Sequence, residues 1–264
     1  MSEVMPTLTD AMAREMVGQC LHNLGVPRAG VLLVHSAFKR LARAGFRAEP
    51  FVAALADYMA AGTLLMPAMS WHAVNPANPV FDELATPSIT GVLTELFRTR
   101  FATHRSLHPT HSVAGLGAHL DALLGSHHLD DTPCSARSPW GLLAGFDANL
   151  LLLGVEMDSC TLIHHVEETI APELYFRPER ERYLCRDRQG REVEVVTRRT
   201  LRLPRDFWQF EEALAAEGGV RRHKLAETNC VFFTARDMVR VTSDRLWHQP
   251  DAIIARPGQR YRMM

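Results

Sequence analysis

Leu151 to Ile170, LLLGVEMDSCTLIHHVEETI, is the stretch whose reading decides the fold. Leu151 to Leu153 has the character of a buried strand. Gly154 turns the chain, and a loop through Asp158 and Ser159 leads into a helix with His164, His165, Glu167 and Glu168 in its first turns. Asp158 or Ser159 is placed to cap that helix by accepting a hydrogen bond from a free backbone N–H. Residues three or four apart share a helix face, so His164 can meet Glu167 or Glu168, and His165 can meet Glu168. A histidine beside a carboxylate, at the carboxyl end of a strand, suits a general base with its orienting partner. By pattern alone, a solvated or structural His–Glu contact is the commoner outcome, so the rest of the chain must weigh in.

Upstream, two more apolar runs of strand length stand out, Gly30 to Val34 and Gly62 to Met66. The first ends in His35-Ser36-Ala37-Phe38-Lys39-Arg40. Small and polar residues followed by two cations suit an anionic ligand, but without a glycine-rich fingerprint the run taken alone favours an ordinary strand-to-helix loop with solvated cations. The second run delivers Trp71 and His72 into an Asn- and Pro-rich loop, 73–85, long enough to be functional or a lid. Trp71 is either a pocket wall or a loop anchor. Helices are predicted from Leu8 to Leu24, from Pro50 to about Met59, and from a Thr86 cap with Pro87 in the first turn to about Phe101. Downstream, residues 183–185 and 192–196 flank Asp187-Arg188-Gln189-Gly190 as a hairpin. A helix over 206–216, a solvated basic run at Arg221 to Lys224, a strand at 229–233 and a Thr234-capped final helix follow. The layout is α/β, with a β-richer C-terminal part and no linker. The chain is read as one unit, residues 1–264, with a core at 30–170 and an appended portion at 171–264.

Composition excludes several classes. Lys+Arg is 29 against Asp+Glu 30, so the basic face of a nucleic-acid binder is not expected. Five scattered cysteines without a CxxC argue against a disulfide framework, and no apolar run reaches membrane-spanning length. The start of the chain lacks the pattern of a signal peptide, so a cytoplasmic location is expected. His108 and His111 invite a metal reading, but no third ligand stands at a suitable spacing, and no metal is expected.

Six segments in order then resemble the aminoglycoside 3-N-acetyltransferase family: VHSAFK (34–39), GTLLMPAMSW (62–71), FDELATPSITGVLTELFR (81–98), RSLHPTHSVAGLG (105–117), TPCSARSPWGLL (132–143) and LLLGVEMDSCTLIHHVEE (151–168). The resemblance covers about residues 30 to 170. It implies a three-layer α/β/α sandwich with a mixed sheet, and acetyl transfer from acetyl-coenzyme A to an amine through a ternary complex. The acceptor it implies is the 3-amino group of an aminoglycoside, an antibiotic-resistance activity. A smaller biosynthetic amine acceptor and a non-catalytic acyl-coenzyme A binder are the alternatives.

The resemblance assigns the HHxE motif to His164, His165 and Glu167, with His164 as base and Glu167 as its orienting partner. It assigns coenzyme A contacts to His35, Ser36, Ala37, Phe38 and Lys39, and to the stretch from His108 to Ser112. Trp71, Asp82, Asp158 and Glu168 are the expected acceptor contacts, with Glu83 and Glu156 nearby. The backbone N–H groups of 36–38 and the Ser112 hydroxyl are the oxyanion donors considered. An acetyl-Cys160 intermediate is a lower-ranked route. The expected partners are coenzyme A and a small-molecule amine, with neither nucleic acid nor membrane; a homodimer is left open.

Overall fold

The three apolar runs become adjacent parallel strands. Val31–Ser36 lies between Thr63–Pro67 and Asn149–Leu153. Strands covered on both faces need no polar alternation, and Leu32, Leu33, Val34, Leu64, Leu65 and Leu150 are at most 1% exposed. Antiparallel strands extend this centre. Val113–Gly117 and His104–Arg105 lie beyond Thr63–Pro67, while Thr228–Thr234 and Arg221–Leu225 lie beyond Asn149–Leu153, completing a seven-stranded mixed sheet. The computed structural model describes residues 7–264.

Alternate residues of each central strand feed two cores. Leu32, Val34, Leu64 and Leu151 pack with the Asp10–Asn23, Ala48–Tyr58 and Val92–Arg100 helices. Leu33, Leu65, Leu150 and Leu152 pack with the Leu162–Ile170, Trp208–Ala216 and Ala235–His248 helices. The result is the expected three-layer α/β fold. None of the described helices is long and apolar enough to cross a membrane.

The predicted hairpin is longer than its sequence signal. Phe176–Arg186 pairs with Glu192–Thr200, and Val80–Asp82 joins in parallel against Leu184 to Arg186. That third strand anchors the far end of the 73–85 loop.

Several local expectations are corrected. Residues 86–91 are not helical, and the helix begins at Val92 after Gly91. Thr86 instead uses its hydroxyl to accept the Asp82 N–H at 2.8 Å, closing a turn. Neither Asp158 nor Ser159 caps the His/Glu helix; both lie in the 3-10 turn Met157–Ser159, and Thr161 occupies the N-cap without a side-chain bond. The basic run at 221–224 is an edge strand of the main sheet, where charged side chains discourage further pairing. Thr234 caps the final helix as expected, accepting from the Asp237 N–H, and Thr9 caps the first helix, accepting from the Met12 N–H.

Candidate active site

The parallel strands end on one side of the sheet, and a cavity of about 1030 Å³ opens there. This is where ligands sit in open α/β sheets. Its wall takes His35, Ser36, Ala37 and Phe38 from the end of the first strand, Trp71 and His72 from the second, and Asp158 and His164 from the third. Gly154 makes the last connection possible. It has φ +70°, and a Cβ there would lie 2.9 Å from the Ala37 carbonyl oxygen, so side chains are excluded twice over.

His164 sits two residues into the Leu162–Ile170 helix. Its Nδ1 is 2.6 Å from Oε2 of Glu167, one turn on, and its side chain is 12% exposed at the cavity wall. Glu167 is fully buried, and its other oxygen accepts from Nε of the fully buried Arg205 at 2.7 Å. Burial alone would raise the Glu167 carboxyl. The charges and hydrogen bonds of His164 and Arg205 outweigh it and hold the group below the usual carboxylate range. Glu167 is therefore an anion and can only accept, so Nδ1 of His164 carries the proton and donates. The lone pair of a neutral His164 is left on Nε2. Phe207 packs edge-on against the ring at 5.2 Å and limits its rotation.

His165 faces the other way, donating from Nδ1 to the Cys134 carbonyl at 2.7 Å. Glu168, expected to meet the acceptor, does not reach the cavity. Both of its oxygens accept the Cys134 N–H, at 2.9 and 2.8 Å. The two residues together fasten the 132–138 segment to the helix. Burial holds the Glu168 carboxyl well above its ordinary range. A raised acid contributes stability that is complete below the unfolded value and is lost as pH rises through the folded one. Glu168→Gln, which keeps the acceptor and removes the ionisation, is therefore expected to raise Tm relative to the native protein more at pH 8 than at pH 5. Glu168→Ala leaves the Cys134 N–H unpaired and is expected to cost about 1–3 kcal/mol. Thermal melts of both variants at the two pH values check this.

Other expected contacts are also moved. His108 and Ser112 are fully buried and do not line the cavity. Nδ1 of His108 accepts from the Thr110 and His111 N–H groups, while the Ser112 hydroxyl donates to the Ala68 carbonyl and accepts from Arg105 Nε. Ser112 thus has no proton to offer an oxyanion. From that stretch Thr110 and His111 reach the cavity instead. Lys39 is exposed at the start of its helix and is absent from the wall; Asp82 accepts the Leu84 and Ala85 N–H groups in a tight turn. The Ala37 N–H donates to the Leu153 carbonyl at 2.8 Å, which removes it as an oxyanion donor. Burial pushes the Cys160 thiol up to about 12, so Cys160 stays protonated and unreactive.

Sequence reasoning missed Arg205 and Arg262. Arg205 anchors Glu167 from a two-residue strand, Pro204–Arg205. His111 lines the cavity beside Trp71, their ring centroids 5.3 Å apart, and burial drives its imidazole well below the ordinary value, so it is neutral. Arg177, Arg199, Arg202 and Arg262 supply the remaining charge of the wall.

A buried His–Glu pair beside a strand-end cavity suits an enzyme that activates a bound nucleophile by removing its proton. The chain belongs to the aminoglycoside 3-N-acetyltransferase family, whose description matches residues 33–247. It is 25% identical over 261 residues to the SPbeta prophage-derived aminoglycoside N(3')-acetyltransferase-like protein YokD of Bacillus subtilis, covering 90% of this chain and 94% of that protein. The crystal structure of a histidine-to-alanine mutant of aminoglycoside acetyltransferase AAC(3)-IVa, in complex with a gentamicin, superposes with a TM-score of 0.80 at 25% identity, covering 97% of this chain and 95% of that one. The structure of AAC-IIIb with CoASH gives 0.74 at 23% identity, covering 92% and 98%.

Proposed function

We propose that this protein transfers an acetyl group from acetyl-coenzyme A to an amine, with the 3-amino group of an aminoglycoside as the acceptor its family implies. The observation that carries the reading is His164, 2.6 Å from the buried Glu167, on the same cavity wall as His35 to Phe38. The wall suits coenzyme A as co-substrate. His35 is pushed down to about 3 by burial and is neutral, and its Nε2 has no hydrogen-bond partner among the described residues. Buried polar atoms are rarely left in that state, and a ligand amide or carbonyl would satisfy it. Stacking on Trp140, with centroids 6.0 Å apart, fixes the ring.

In the reaction, an ammonium group first loses a proton to solvent. The amine nitrogen then attacks the thioester carbonyl carbon, forming the new C–N bond, while His164 Nε2 takes the second proton. Glu167 stabilises the resulting imidazolium through Nδ1. As the C–S bond breaks, that proton passes to the departing sulfur, leaving an amide and a free thiol.

The test is free-thiol release from acetyl-coenzyme A in the presence of gentamicin, with the acetylated nitrogen located by NMR. Thiol release matched by acetylation at the 3-amino group is expected. Coenzyme A binding without thiol release in the presence of any amine would reject the transfer reading.

A further inference from the structure

The cavity wall has an unusual charge balance for an acceptor that is a polycation. Four arginines line it, Arg177, Arg199, Arg202 and Arg262, against one acidic side chain, Asp158. Asp158 is already engaged by Arg262 at 2.9 Å. The other acids that the sequence offered to a cationic acceptor are occupied elsewhere. Asp82 closes its turn, Glu83 pairs with Arg188 at 2.7 Å, Glu168 holds the Cys134 N–H, and Glu156 pairs with Arg260.

The arginines are less well served. Arg199 shares Glu181 at 3.3 Å, and its Nη2 lies only within 3.4 Å of the Trp71 and Val74 carbonyl oxygens. Arg177 and Arg202 have no carboxylate partner among the described residues, where Arg177 is exposed at the start of one hairpin strand and Arg202 just beyond the end of the other. Pairing of Phe176 with Thr200 brings these two strand ends together, so the three guanidinium groups share one rim. Like charges gathered this way repel unless an anion joins them. A guanidinium presents a planar fork of donors that fits carboxylate or phosphate oxygens two at a time.

We infer that the acceptors of this enzyme include amines that also carry an oxyanion, a carboxylate or a phosphate, and that Arg177, Arg199 and Arg202 hold the oxyanion while His164 deprotonates the amine. The inference rests on the acetyl-transfer reading above and adds an acceptor class to it. The chemistry at nitrogen is unchanged: the C–N bond forms, the C–S bond breaks, and the amine proton reaches the thiol through His164.

The test compares matched amines by thiol release at low ionic strength. Glucosamine 6-phosphate is set against glucosamine, and 4-aminobutyrate against 4-aminobutanamide, with gentamicin as the polycation. The expected result is a kcat/KM at least tenfold higher for one oxyanion-bearing member over its neutral partner. The pair that shows it tells phosphate from carboxylate. In Arg177→Met/Arg202→Met the preference should fall to near parity while the KM for acetyl-coenzyme A stays unchanged. Both side chains are exposed, so the double variant should fold, and its thermal melt checks that. Parity of both pairs in the native enzyme, or turnover of gentamicin alone, overturns the inference and leaves acetyl transfer standing. A raised KM for acetyl-coenzyme A with acceptor preference intact also overturns it, because the arginines then serve the phosphates of the co-substrate. Silence with every amine overturns both readings.

Discussion

Glu167→Ala is expected to lower the free energy of unfolding by about 3–5 kcal/mol, the range for removing one partner of a buried ion pair. The size of the effect comes from what is left behind. Arg205 and Glu167 are both 0% exposed at the side chain, and without the carboxylate the guanidinium stays buried with only the Leu201 and Met264 carbonyl oxygens as acceptors. Its Nη2 has no hydrogen-bond partner among the described residues even in the intact protein, so no reserve acceptor stands ready. Removing both charges together is expected to be milder: Glu167→Leu/Arg205→Met should cost clearly less than the sum of the single changes, because packed apolar groups replace the pair. Urea titrations of the native protein, Glu167→Leu, Arg205→Met and the double variant close this cycle. The pH dependence carries the same sign. Glu167 is held below the usual carboxylate range, so its contribution is complete above about 4.3, the ordinary glutamate value, and is lost as pH falls through the lowered folded one. Glu167→Gln, already less stable at neutral pH, should therefore show a shallower loss of Tm on further acidification than the native protein.

Arg205 also marks the limit of what a sequence discloses. The contact between His164 and Glu167 was legible because helix periodicity places i and i+3 on one face whatever the tertiary context. The three central strands were legible because burial on both faces leaves an unbroken apolar run. Arg205 belongs to a two-residue strand 38 positions beyond its partner, and no local pattern announces a pairing of that separation. The edge strand at Arg221–Leu225 failed for a related reason: its charge is the signature of solvent exposure, and an edge strand is exposed. In RSLHPTHSVAGLG the family resemblance suggested coenzyme A contacts at His108 to Ser112. Arg105 redirected that outcome: its buried guanidinium gathers the Glu83, Thr86 and Ala68 carbonyl oxygens and the Ser112 hydroxyl, turning Ser112 into scaffold. Thr110 and His111, which reach the cavity, differ from His108 only in which side of a tight turn they occupy.

His164→Ala is the complementary case, because it should separate chemistry from stability. General-base catalysis contributes about 10²–10⁴-fold, or roughly 3–5 kcal/mol of transition-state stabilisation, and kcat with the best acceptor is expected to fall within that range. The fold should persist. The His164 side chain lies at the cavity wall, and its removal leaves Glu167 still bonded to Arg205, so no buried charge loses its last partner. Coenzyme A affinity, measured by calorimetry, should also persist, since His35 to Phe38 lie on a different strand end. The two variants then dissect the triad. Loss of His164 removes the proposed proton acceptor and keeps the ion pair, whereas loss of Glu167 removes the ion pair and the acceptor that orients Nδ1 of the imidazole. If His164→Ala instead retained turnover within a few-fold, the base would lie elsewhere on the wall, and His111 would be the group to replace next. That imidazole is neutral and lines the same cavity, but its Nδ1 contacts the Thr110 hydroxyl at 2.8 Å rather than a carboxylate. It would have no anion to stabilise the imidazolium formed on accepting a proton. That difference in partner, more than the position of either ring, is the physical ground for assigning the proton transfer to His164.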